Sequence, residues 1–158
     1  MALELNGTTG VSLVQNGVIT DANLPAGSVL QVVQATSTSS FSTSSTSYVT
    51  TGFSASITPS SSSSKILAFI NGGNLDTWQS SDNIVYASLY RGASSLGFTD
   101  VFGYSSRTSA PMSFCYLDSP ATTSSTTYTI YLKSGGAYTV YMNSRNETAS
   151  ITLLEIAA

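Results

Sequence analysis

The stretch Gly72-Gly73-Asn74-Leu75-Asp76-Thr77-Trp78-Gln79-Ser80-Ser81-Asp82 gathers the side chains best suited to hold a ligand. It contains the single Trp of the chain, two carboxylates and the amides of Asn74 and Gln79. A Trp in a polar loop can stack on a sugar ring or anchor a protein contact, or it can fold back as a lid on the domain's end. A second polar loop, residues 100–109, brings Phe102, Tyr104 and Arg107. Trp78, Asp76, Asp82, Tyr104 and Arg107 are therefore the candidate ligand or receptor residues. Catalysis has little to work with. The chain has no His, so the commonest general base and metal ligand is missing. Glu4, Asp21, Asp76, Asp82, Asp100, Asp118, Glu147 and Glu155 are dispersed. Most fall in expected turns, where Asp tends to cap its own backbone. There is no Gly-rich phosphate loop, EF-hand spacing or metal-spaced Cys cluster. No enzymatic activity, cofactor or metal is expected. Cys115 is the only Cys, which rules out an internal disulfide, and its strand-like surroundings suit a small buried apolar side chain.

The charge pattern narrows the partners. Charged residues make up 8% of the chain, against about 25% in ordinary soluble domains. Lys65, Arg91, Arg107, Lys133 and Arg145 are scattered singly and the net charge is −3. Phosphate backbones need grouped cations, so nucleic acid is not an expected partner. No run approaches the roughly 18 apolar residues of a membrane helix, and membrane insertion is not expected. The start, Met1-Ala2-Leu3-Glu4-Leu5-Asn6, lacks a basic region followed by an apolar stretch, which fits synthesis in the cytoplasm.

The elements that must position these residues read as strands throughout. About a third of the residues are Ser or Thr, and they alternate with apolar residues. The expected strands are Val29–Gln34, Tyr48-Val49 with Phe53–Ile57, Lys65–Asn71 (buried), Ile84–Arg91, Leu96–Val101, Pro111–Leu117, Tyr128–Leu132, Tyr138–Met142 and Ser150–Ile156. Residues 35–46 and 60–64 read as connections. Gly135-Gly136 reads as the turn of a hairpin between Tyr128–Leu132 and Tyr138–Met142. Nine or ten short strands at regular spacing, with no helical period, predict an all-β antiparallel sandwich or barrel. The last strand is apolar and is expected in the middle of a sheet. The first 27 residues differ. They are short apolar scraps broken by Asn6-Gly7, Gly10 and Asn16-Gly17, too short to bury their own apolar face. They predict an arm that packs on another copy or a larger assembly. Its candidate contacts are Leu3, Leu5, Val11, Leu13, Val14, Val18 and Ile19. The predicted organisation is a 1–27 arm and a 28–158 knob. Low charge and rings on both faces of the Tyr-rich strands point to subunit contacts.

The stretches Leu5-Asn6-Gly7-Thr8-Thr9-Gly10-Val11, Ala26-Gly27-Ser28-Val29-Leu30-Gln31-Val32-Val33-Gln34, Ser54-Ala55-Ser56-Ile57-Thr58-Pro59 with the serines 60–64 and Lys65-Ile66-Leu67, and Ser150-Ile151-Thr152-Leu153-Leu154-Glu155-Ile156 carry a resemblance. Together they are similar to the fibre-like virion proteins of marine phages and cyanophages, over most of the chain. The resemblance implies a jelly roll like the C1q and tumour-necrosis-factor domains, assembled as a homotrimer about an axis lined by aromatic and aliphatic side chains. Tyr131, Tyr141, Leu154 and Ile156 are the candidates for that interface. It also implies a place in the virion, with the major capsid protein or another virion component as partner. One arm and one knob without a long shaft favour a capsid decoration (cement or head-fibre) protein. The alternative is a tail-fibre tip that recognises a host cell-surface glycan.

Overall fold

The computed structural model describes residues 24–78, 83–103 and 107–158. These residues form ten strands and no helix: β1 (Val29–Ser37), β2 (Phe41–Thr43), β3 (Val49–Ile57), β4 (Lys65–Thr77), β5 (Asn83–Arg91), β6 (Ser94–Gly103), β7 (Thr108–Asp118), β8 (Thr126–Ser134), β9 (Val140–Met142) and β10 (Ala149–Ile156). All pair antiparallel, in two sheets. The six-stranded sheet has the order β1-β10-β4-β9-β2, with β7 on the other edge of β4; the four-stranded sheet has the order β3-β8-β5-β6. The chain is thus an all-β antiparallel sandwich, as its patterning predicts. The last strand lies between β1 and β4, inside a sheet. Backbone bonds from Gly27 N to Ala157 O (2.8 Å) and from Ala157 N to Ser28 O (2.9 Å) begin the paired region. Residues 1–23, including the seven arm candidates, lie outside the described residues.

Period-two alternation builds the core. Ile66, Ala68 and Ile70 of β4 and Ile151 and Leu153 of β10 face Val85, Ala87 and Leu89 of β5 and Tyr128, Ile130 and Leu132 of β8; all are buried. Each large side chain removed from water in this way contributes about 1.5–3 kcal/mol. Two carboxylates brace the end where the chain enters, Asp118 between the sheets and Glu155 between β10, β1 and the β3–β4 connection. Asp118 is 6% exposed. It accepts bonds from Arg91 Nη1 (2.9 and 2.8 Å) and from the hydroxyl of Tyr128 (2.7 Å). Burial, then the bond to Asp118, pushes the Tyr128 phenol far above its ordinary pKa. Glu155 is fully buried. It accepts bonds from Gln31 Nε2 (2.6 Å) and from Ser60 N and Oγ (2.7 and 2.8 Å). Burial works to raise the Glu155 pKa, but these donors outweigh it and hold the carboxyl below its usual range.

Four expectations need correction. Gly72-Gly73 does not open a loop; β4 runs through it to Thr77 as a bulge, with Asn71–Asn74 facing Ser113–Pro111. Only glycine fits this place. Gly73 has φ +74°, and a Cβ on Gly72 or Gly73 would strike Met112 Sδ or Asn143 Oδ1. Gly135-Gly136 is not a hairpin turn, because β8 and β9 belong to different sheets. The crossing is pinned to β5 by Ile84 N donating to the Tyr138 hydroxyl (2.5 Å) and Gly135 N donating to Ile84 O (2.9 Å). Cys115 is exposed, on the solvent side of β7. Lys65–Asn71 is buried on one face only, since Phe69 is 47% exposed.

Candidate functional site

The β4 bulge changes which residues of the strand face outward. Before it, Ile66, Ala68 and Ile70 point into the core. After it, buried Leu75 does, and Asn74, Asp76 and Trp78 take the outer side. Asp76 lies opposite Ser109 of β7 and Tyr141 of β9. Tyr141 alternates with buried Val140 and Met142, so it shares that outer side. The register therefore collects Trp78, Asp76, Arg107 and Tyr141 at the end of the sandwich opposite Gly27 and Ala157.

Asp76 organises the cluster. It is fully buried. It accepts Arg107 Nε (3.2 Å) and Nη2 (2.5 Å) and the Ser144 hydroxyl (2.8 Å). Burial works to raise the Asp76 pKa; Arg107, Ser144 and the nearby Trp78 indole, with the Arg107 charge, outweigh it and hold the carboxyl below the usual range. The bond to Asp76 in turn raises the Arg107 pKa. The guanidinium lies 4.6 Å from the centroid of the Trp78 ring, a cation–π contact. The Tyr141 ring is 5.9 Å from Trp78, tilted by 44°. Trp78 nevertheless stays 54% exposed. Two residues back along β4, Asn74 Nδ2 donates to Ser109 Oγ (3.1 Å) and Ser144 Oγ (2.9 Å). Beside it lies a cavity of about 110 Å³ lined by Asn74, Ser109, Ala110, Pro111, Arg145 and Glu147. Chemically the cluster presents rings, amides and hydroxyls. Its buried carboxylate is ionised, paired and unsuited to deliver a proton at neutral pH.

Trp78, Asp76 and Arg107, expected on two separate loops, are thus in contact, while Asp82 and Tyr104 lie outside the described residues. Tyr141, expected at a subunit interface, joins this cluster. The other interface candidates separate. Tyr131 is on the outer face of the four-stranded sheet, stacked on Tyr90 at 4.0 Å. There Tyr48 lies 5.9 Å from Tyr90, and Lys133 Nζ sits 4.8 and 4.6 Å from the Tyr48 and Tyr86 rings. Leu154 and Ile156 are on the outer face of the six-stranded sheet, at the chain-entry end. No single flat face of the sandwich carries all four.

One surface feature went unread in the sequence. Val32, Leu154, Leu67 and Leu117 are register partners in one row across β1, β10, β4 and β7. Phe69 and Cys115 pair in the next row but one along β4. Val29, Val32, Phe69 and Leu117 are 47–59% exposed. The continuous apolar run Ile66–Ile70 was the available signal, since a strand with one wet face should alternate.

No protein-family model matches this chain, and no curated protein matches it in sequence. Among the described residues there is no helix long and apolar enough to cross a membrane and no group of three or more potential metal-ligating His, Cys, Asp or Glu.

Proposed function

We propose that this chain is a non-enzymatic structural protein of a phage virion: a homotrimeric jelly-roll knob that decorates the capsid and is anchored by residues 1–27. The observation that carries the reading is the gathering of exposed apolar side chains on one face near the chain's entry. Val29, Val32, Phe69 and Leu117 all lie on the outer side of the six-stranded sheet. A patch of this kind on a well-packed domain marks a contact surface. Between Lys65 at one end and the Asp76–Arg107 pair at the other, the outward positions of β7, β4, β10 and β1 carry no charge. Such a face offers no electrostatic selection for a foreign partner and suits a second copy of itself. The strand order supports the jelly-roll reading, because β1-β10-β4-β7 and β3-β8-β5-β6 divide the chain as two interleaved four-stranded sheets. The arm would leave from the same end as the apolar face, directing that end toward the capsid and the Trp78 end away from it.

Native mass measurement at micromolar concentration should give a trimer, and a monomer would refute the assembly. Deleting residues 1–27 should leave the oligomer intact and abolish incorporation into particles; normal incorporation would refute the anchoring role. Gold-labelled antibody on intact virions should mark the head, and label confined to the tail would overturn decoration.

A further inference from the structure

We propose that the Trp78 end of the sandwich is a binding site for a neutral hexopyranose oligosaccharide, with Trp78 and Tyr141 as the ring platform and the cavity beside Asn74 as the hydroxyl pocket. This goes beyond the virion reading and does not depend on it. Three observations carry it. The platform is open and fixed at once: Trp78 is 54% exposed, yet its ring lies under the Arg107 guanidinium and beside Tyr141. The group that fixes it is buried, since Asp76 has no exposed surface and binds Ser144 and the Arg107 that lies over the Trp78 ring. A rigid aromatic surface loses little entropy on binding, and the apolar C–H face of a pyranose ring needs such a surface.

The second half of the site is the cavity of about 110 Å³. At roughly 30 Å³ per water it has room for about three to four waters, or for the hydroxyl arms of a sugar. Its polar lining comes from Asn74, Ser109, Arg145 and Glu147. Asn74 and Trp78 are four residues apart on one side of β4, about 13 Å at 3.3 Å per residue. That distance exceeds the spacing of adjacent pyranose rings, so one ring on the platform and another over the cavity means a trisaccharide or longer. The charges favour a neutral sugar: Arg107 is matched by Asp76, and the cavity lining carries one cation and one anion, Arg145 and Glu147, with no net charge. The platform lies about 35 Å along β4 from Leu67, by the same rise per residue, so the apolar face proposed for assembly leaves it open.

Trp78 is the only Trp, so its emission reports the site in the unmodified protein. Maltotetraose, cellotetraose and mannotetraose are titrated as neutral probes, with a galacturonic acid trimer as the acidic one. At least one neutral probe should change the emission saturably below about 10 mM, the weak end of specific binding. Tyr141→Ala, at a partly buried position, should weaken that probe at least roughly tenfold, about 1.4 kcal/mol, while the unfolding transition is retained. Arg145→Ala, on the exposed cavity wall, should weaken it as well. No response to any neutral probe, a response to the acidic trimer alone, or unchanged affinity in the Tyr141→Ala protein would overturn the proposal.

Discussion

Removing the Asp76 carboxylate tests the reasoning about the cluster most directly. Asp76→Ala strands the Ser144 hydroxyl and one side of the Arg107 guanidinium, both now bonded to a carboxylate with no exposed surface. Breaking a fully buried ion pair costs about 3–5 kcal/mol. That is an upper bound here, because the Arg107 side chain is 45% exposed and can turn toward water. Each stranded polar group that stays buried costs about 1–3 kcal/mol. Ser144 keeps a bond from Asn74. The expected loss is therefore about 2–3 kcal/mol. With a urea dependence of about 2 kcal/mol per molar, the unfolding midpoint should fall by about 1–1.5 M at fixed protein concentration. Asp76→Asn keeps the shape and one acceptor oxygen and should lose about half as much. Trp78 fluorescence anisotropy should fall in the Ala variant as the ring loses its anchor. A midpoint within about 0.2 M of wild type, with unchanged anisotropy, would show that the cluster does not hold together as described.

Three further outcomes follow from other parts of the molecule. Gly73→Ala forces a side chain into the left-handed region at φ +74° and against Asn143 Oδ1. Asn143 cannot retreat, because its amide bonds to Ser39 O and Glu147 O; the loss should be about 2–3 kcal/mol, and a wild-type melting temperature would refute the bulge. Asp76 and Glu155 both titrate below their unfolded values. Their contribution is complete above about pH 5 and is lost as pH falls through the depressed folded values, so the urea midpoint should stay level from pH 7 to 5 and drop below about pH 4. A midpoint at pH 3 equal to that at pH 7 would contradict this. Cys115 is exposed in the single chain but lies on the face proposed to meet another copy. Its thiol should react slowly with Ellman's reagent in the assembled protein and quickly after dissociation, and equal rates would take Cys115 out of the contact.

Much of the architecture was legible in local pattern. The alternation in Phe53–Ile57, Tyr128–Leu132 and Ser150–Ile156 placed strands where β3, β8 and β10 lie, and the serines after Pro59 form the connection between β3 and β4. The connection read after Val29–Gln34 was too long, because Ser and Thr fit strands as well as loops: β1 runs on to Ser37, and β2 follows at Phe41–Thr43. The Gly pairs misled in two ways. Gly72-Gly73 has the composition of a turn, yet its positive φ and missing side chains serve a bulge inside β4. Gly135-Gly136 sits between two alternating segments whose hydrogen-bond partners lie in different sheets. Asp76, Asp118 and Glu155 read as isolated charges, since their partners Arg107, Arg91 and Gln31 are between 27 and 124 residues away.

The sequence by itself determined the class of fold: period-two patterning without helical period dictates sheets. Which residues meet was decided by tertiary structure alone. The β4 bulge turns Asp76 and Trp78 to the side of the sheet where β7 delivers Arg107 and β9 delivers Tyr141, and the register lines Val32, Leu154, Leu67 and Leu117 in one row. Local pattern fixes which face of a strand an individual residue takes; a long-range register fixes its neighbours, and that register depends on pairings between strands far apart in the chain.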